Sequence, residues 1–224
     1  MSLSDVGLKY SLIPFSEAQT SKLRPKSVLL LVHGRGGRMK LMGWLAKRFK
    51  IESLDYILLE APIPDDVPEM KEPGFSWYLM PDHKGLKESR EKIRHFINEL
   101  VAAGYSADRI YWLGFSQGGV MGIDTGLRSP HKLGGIICVS GFCVRVEDYP
   151  DQFGMYAKKQ RFLATHGMRD EILSLEKAKK SYDRLKELGI NLELKILSKP
   201  HSFDLKNEVP DLEQQLITWM KQRL

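Results

Sequence analysis

Ile110-Tyr111-Trp112-Leu113-Gly114-Phe115-Ser116-Gln117-Gly118-Gly119 is the stretch on which the fold turns. Four apolar residues in a row read as a buried strand, and from Gln117 to Arg128 the spacing is helical, up to Ser129-Pro130. Between them sits Gly-x-Ser-x-Gly. A serine on so sharp a strand-to-helix turn has strained backbone angles, and the chain passes close to itself two residues before and two after. A Cβ at either place would clash, so glycines at 114 and 118 are what the turn needs. Gly119 offers a further small residue for close packing of the helix. The partial positive charge at the helix N-terminus then faces Ser116 and favours a developing oxyanion. The pattern can arise by chance in a glycine-rich turn, but a strand before it and a helix after it argue for Ser116 as a nucleophile.

Outward from this turn, short apolar runs alternate with longer amphipathic stretches, as in an α/β fold on a mostly parallel sheet. Strands are expected at Ser27 to His33, Tyr56 to Glu60, Arg109 to Phe115, Gly135 to Ser140, Arg161 to His166 and Leu192 to Leu197. Four of them are nearly continuous apolar runs, which predicts helices on both faces of the sheet. Leu8 to Pro14 is a candidate edge strand. Helices are expected at Leu41 to Phe49, Lys84 to Ala103, Gln117 to Arg128, Leu175 to Leu188 and Pro210 to Leu224; Gly104 and Gly189 stand where C-cap glycines belong. Ala61 to His83 holds five prolines and cannot be a regular helix. A loop of that length in a compact domain is usually functional. With no repeat, low-complexity tract or second linker, residues 1–224 read as one domain.

Candidate partners for Ser116 follow from chain order and loop position. On this kind of scaffold a second oxyanion donor comes from the loop after an early strand. Here Val28 to Val32 runs into His33-Gly34-Arg35-Gly36-Gly37, so the backbone N–H groups of Arg35 and Gln117 are the expected pair. A phosphate loop is the rival reading, but the spacing is neither G-x-G-x-x-G nor the Walker pattern. The acid and the base follow the nucleophile in sequence. Asp170 comes just after the strand ending at His166, and His201 just after the strand ending at Leu197. That gives the order Ser116, Asp170, His201, each on a loop at the carboxyl end of a strand. Glu171 is the alternative acid. His33 precedes the nucleophile and reads as a structural hydrogen bonder, His166 as a buried support, and His131 as a surface residue.

Composition sets limits rather than an activity. The 224 residues carry a net charge of +6. Basic residues are spread along the chain and many sit beside acids, which fits a mixed-charge surface better than a basic face for anionic lipids or substrates. No nucleic-acid motif is present. Cys138 and Cys143 have neither redox-pair nor zinc-site spacing and read as free thiols in a reducing compartment; no metal site is expected. Met1 to Lys9 lacks a secretory pattern and no apolar run is long enough to span a bilayer, so the expected location is cytoplasmic.

Taken together, these motifs resemble the carboxylesterase, acyl-protein thioesterase and lysophospholipase family of α/β hydrolases. The matching pieces are His33-Gly34, Glu60-Ala61-Pro62, Trp77-Tyr78, the Gly-Phe-Ser-Gln-Gly-Gly run from Gly114, Ser140-Gly141, His166-Gly167 with Asp170, and His201. The resemblance implies a single-domain α/β-hydrolase fold without a large lid domain, ester or thioester hydrolysis, and no cofactor. The implied partner is a small-molecule ester or lipid-like acyl substrate, with a homodimer left open. It also implies that Trp77 lines the acyl-binding cleft, although a large aromatic in a loop is often packed core. Three departures stand out: Met168 replaces a common acid, Pro200 replaces the glycine usual before the base, and Arg35 replaces an apolar residue. Arg35 would attract an anionic substrate group. Small to medium acyl esters are the expected substrates, a thioesterase or lysophospholipase the alternative, and a catalytically dead binding protein the reading outside enzymes.

Overall fold

The computed structural model describes residues 7–15, 27–49, 51–148 and 150–222. Among the described residues the strands are β1 (Tyr10–Ile13), β2 (Ser27–Val32), β3 (Leu54–Leu59), β4 (Ile63–Asp65), β5 (Gly74–Ser76), β6 (Ile110–Phe115), β7 (Gly135–Val139), β8 (Phe162–Gly167) and β9 (Leu192–Leu197). The α-helices are α1 (Gly43–Arg48), α2 (Leu86–Ala102), α3 (Gln117–Arg128), α4 (Leu175–Glu187) and α5 (Glu208–Lys221). Seven strands form one sheet in the order β1-β3-β2-β6-β7-β8-β9. All neighbours are parallel except β1, which runs antiparallel to β3 at the edge.

Alternation along the strands divides the core in two. On β2, Val28, Leu30 and Val32 face the layer of α2, α3 and α4, while Leu29 and Leu31 face α1 and α5. All five are fully buried, which is why β2 reads as an unbroken apolar run. The helices follow their sequence signals to within a residue or two. At α1 a 3-10 turn at Met39–Met42 comes first, so the regular helix starts at Gly43 rather than Leu41. The last two residues of the expected C-terminal helix lie outside the described residues.

The Pro-rich segment 61–83 is not purely a loop. It holds a small antiparallel hairpin, β4 with β5, in which Pro64 pairs with Phe75. Three-residue strands leave no readable period in the sequence, and Pro64 is tolerated because a two-stranded ribbon is all edge. The hairpin is docked rather than projecting. Phe75 N–H donates to Gly37 O at 2.9 Å, and a Cβ on Gly74 would sit 1.9 Å from Gly36 O. Segment 61–83 is therefore fastened to the loop after β2.

Candidate active site

At the carboxyl end of β6 the chain turns into α3 through Ser116, whose φ of 52° and ψ of −118° lie in a sparsely populated region for a side-chain-bearing residue. Two backbone bonds hold the turn: Ser116 N–H to Val139 O at 2.8 Å and Val120 N–H to Ser116 O at 3.0 Å. The glycines around it have the role their spacing implied. A Cβ on Gly114 would lie 2.1 Å from Gly118 O, one on Gly118 2.3 Å from Val32 O, and one on Gly119 2.6 Å from Cys138 Sγ. Close approach, not a positive φ, is what excludes a side chain there. Because the first intrahelical bond returns to Ser116 O, the N–H of Gln117 has no acceptor within its own helix.

The loop after β2 rests against this turn: a Cβ on Gly34 would be 3.2 Å from the Ser116 Cβ. Its shape is fixed from below by His33, which is 1 % exposed. Ala61 N–H donates to His33 Nε2 at 3.0 Å, so Nε2 carries the lone pair and the Nδ1–H donates to Gly34 O at 2.8 Å. Burial pushes the His33 pKa down to about 4, against the raising effect of the Gly34 bond, so this imidazole is a neutral strut. From the hairpin side, Gly36 N–H donates to Ser76 Oγ at 2.9 Å and Ser76 Oγ donates to Asp65 Oδ2 at 2.7 Å. Asp65 Oδ2 also accepts the Arg35 Nε–H at 3.4 Å. The guanidinium expected to draw anionic substrates is thus already facing a carboxylate.

Asp170 and His201 meet. His201 Nδ1 lies 2.7 Å from Asp170 Oδ2, and the Asp170 carboxylate is fully buried. Its other oxygen accepts Ile172 N–H at 3.1 Å and Leu173 N–H at 2.8 Å. His166 Nε2, 2.8 Å from Leu173 O and 3.4 Å from Asp170 Oδ2, supports the acid from behind. Glu171 is exposed, so of the two candidate acids only Asp170 faces an imidazole. His131 bonds Asn98 ahead of β7, at the opposite end of the sheet from Ser116. The His201 ring packs on Phe115, the neighbour of Ser116, with centroids 5.0 Å apart. Phe203 stacks on Phe115 at 5.2 Å and Trp44 meets Phe203 edge-on at 5.4 Å. A half-buried aromatic row thus leads away from the imidazole.

Residues 14–220 match the family model described as phospholipase/carboxylesterase. The chain belongs to the phospholipase/carboxylesterase family. It is 31% identical over 219 residues to acyl-protein thioesterase 1 of Emericella nidulans, covering 84% of this chain and 88% of that one. It is 28% identical over 160 residues to carboxylesterase SOBER1 of Arabidopsis thaliana, covering 66% of this chain and 68% of that one. Among solved structures, SOBER1 superposes with a TM-score of 0.79 at 23% identity, over 88% of this chain and 100% of that one. Esterase PE8 does so at 0.80 and 22%, over 94% and 98%. As a phospholipase/carboxylesterase the protein is a serine hydrolase, and its chemistry is ester hydrolysis on acyl substrates. Among the described residues no helix is long and apolar enough to cross a membrane.

One expectation drawn from the family resemblance needs correction. Trp77 does not line an open cleft. It is 0 % exposed, and its indole N–H donates to His33 O at 2.9 Å. Its carbonyl accepts the Ser89 hydroxyl at 2.6 Å, and its own N–H goes to the Gln117 side chain at 3.0 Å. It is core beneath the loop after β2. Conversely, nothing in the chain's spacing hinted that the Gln117 side chain matters. Its amide oxygen takes Trp77 N–H while its amide nitrogen donates to Tyr78 O at 2.9 Å, sewing segment 61–83 to the first residue of α3. An amide can both accept from and donate to a passing backbone at once, which is the only clue the residue itself offers.

Proposed function

We propose that the protein cleaves small to medium carboxylic esters through an acyl-enzyme on Ser116, with His201 as general base and Asp170 as its orienting acid. The observation that carries the reading is the 2.7 Å His201–Asp170 pair beside the strained Ser116 turn. With Nδ1–H committed to Asp170, His201 Nε2 is left as the proton acceptor. His201 takes the Ser116 hydroxyl proton as Oγ attacks the acyl carbonyl, and the backbone N–H groups of Arg35 and Gln117 receive the oxyanion. The imidazolium then returns its proton to the leaving alcohol. Water, deprotonated by the same nitrogen, attacks the acyl-enzyme, and the imidazolium returns that proton to Ser116 Oγ as the acid leaves. Each oxyanion donor is worth roughly 3 kcal/mol of transition-state stabilisation.

Apolar surface for the acyl group is on hand in Phe115 and Phe203 beside His201 and in Met168 and Leu205, which are 58 % and 64 % exposed. The likeness to an acyl-protein thioesterase favours a second reading, in which a long acyl chain leaves a thiol rather than an alcohol. Hydrolysis of p-nitrophenyl acetate, butyrate, octanoate and palmitate by wild type, Ser116→Ala and His201→Ala tests both. Activity lost in the two variants, with a peak at short chains, is the expected result; a peak at palmitate selects the second reading. Undiminished hydrolysis by Ser116→Ala, or no labelling of Ser116 by a fluorophosphonate, overturns the assignment.

A further inference from the structure

Lys199 is an unusual residue to find where it is. It is 2 % exposed, two positions before His201, and its ammonium lies 2.6 Å from Glu208 Oε1, whose side chain is fully buried too. A buried ion pair carries a large desolvation cost, and hydrophobic residues of like volume often serve stability as well or better. A pair buried at this place invites a role beyond stability. Burial lowers the Lys199 pKa, while the carboxylates of Glu208, Asp170 and Asp204 pull it back up.

The backbone around the pair ties three elements into one unit. Arg169 N–H donates to Lys199 O at 3.1 Å, and a Cβ on Gly167 would sit 2.2 Å from that same oxygen, so the loops carrying Asp170 and His201 press directly on each other. The second Glu208 oxygen accepts Asp204 N–H at 3.0 Å. Glu208, the first residue of α5, therefore grips the chain on both sides of His201, at 199 through the ammonium and at 204 through the backbone.

We propose that Lys199, held by Glu208, is a positioning residue for the general base: the pair clamps the loop from 199 to 204 and fixes the His201 imidazole against Asp170. Pro200 has its own φ locked by its ring, so the clamp on either side restrains the freedom that remains. The inference rests on His201 being that base, which His201→Ala tests by itself.

The experiment uses the double variant Lys199→Met with Glu208→Gln, in which no charge is left unpaired and the amide introduced at position 208 still accepts Asp204 N–H. Beside it stands Glu208→Gln alone, which is nearly isosteric but keeps one acceptor oxygen in place of two and removes the charge that holds Lys199. Thermal midpoint, kcat and KM on p-nitrophenyl butyrate, and the far-downfield proton resonance of the His201 Nδ1–H are read on each. The double variant is expected to melt within a few degrees of wild type, to lose roughly 10- to 100-fold in kcat with KM nearly unchanged, and to shift or broaden the resonance. Glu208→Gln alone is expected to show a smaller kcat loss of the same kind. Wild-type kcat and an unmoved resonance in either folded variant overturn the inference. If His201→Ala remains active, it is the assignment of the base that fails instead.

Discussion

Acid is expected to loosen the loop after β2 through His33. Nε2 accepts the Ala61 N–H, so a second ring proton would set a donor against a donor in a site almost closed to water, and the Glu60 carboxylate 3.5 Å away does not outweigh the cost of burial. The folded pKa is about 4 and the ordinary value 6.5. Between those values the unfolded chain takes up a proton that the folded chain refuses, so acid favours unfolding. The His33 contribution is fully present above the unfolded value, is lost as pH falls through the interval, and levels off below about 4, where both states are protonated. The whole interval is worth about 3 kcal/mol, and about 2 kcal/mol of it is gone by about pH 5. With a urea dependence of about 2–3 kcal/mol/M, the unfolding midpoint should drop by about 0.7–1 M between about pH 7 and pH 5. Urea titrations followed by tryptophan fluorescence at a series of pH values across this interval measure this directly. His33→Gln, whose amide cannot titrate, separates His33 from every other group: the variant should be weaker at neutral pH but flatter with pH by the same amount. Equal pH slopes for wild type and His33→Gln would refute the reasoning.

Further outcomes follow from the same geometry. Gly118→Ala must push against Val32 O and should abolish soluble expression or cost several kcal/mol, whereas Gly43→Ala, with its nearest neighbour 4.0 Å away and a helical φ, should be neutral or stabilise by about 0.5 kcal/mol in thermal melts. Ser76→Ala removes both the acceptor for Gly36 N–H and the link to Asp65; kcat should fall about tenfold with little change in KM, and an unchanged kcat would mean the loop holds its shape without the hairpin. Trp77→Phe should lower the melting temperature through loss of the indole bond to His33 O yet leave the acyl chain-length profile as in wild type; a shifted profile would return Trp77 to the substrate cleft. Arg35→Ala should leave the ratio of rates on anionic and neutral esters unchanged, since Asp65 already faces the guanidinium.

Features that depend on neighbours along the chain are legible in the sequence alone. The turn at Ser116 is such a case: glycines at 114 and 118, an apolar strand before and a helical period after are local facts, and together they leave the backbone one path. The buried strands β2, β6 and β7 could likewise be read, because burial on both faces leaves a nearly continuous apolar run, and so could β3 from Tyr56 onward, past the buried Asp55. So could Asp170 and His201 as candidate partners, since strand order and parallel connections bring every βα loop to one edge of the sheet. Which groups those loops would bring into contact was decided only on folding. That Trp77 is core, that Arg35 is matched by Asp65 from a distant segment, that the Gln117 amide holds segment 61–83, and that Lys199 pairs with Glu208 are all pairings of residues whose types are common and whose partners lie elsewhere in the chain. A hydrogen bond between side chains far apart in sequence leaves no period and no spacing to read. It exists only once the sheet has brought the loops within about 3 Å of one another.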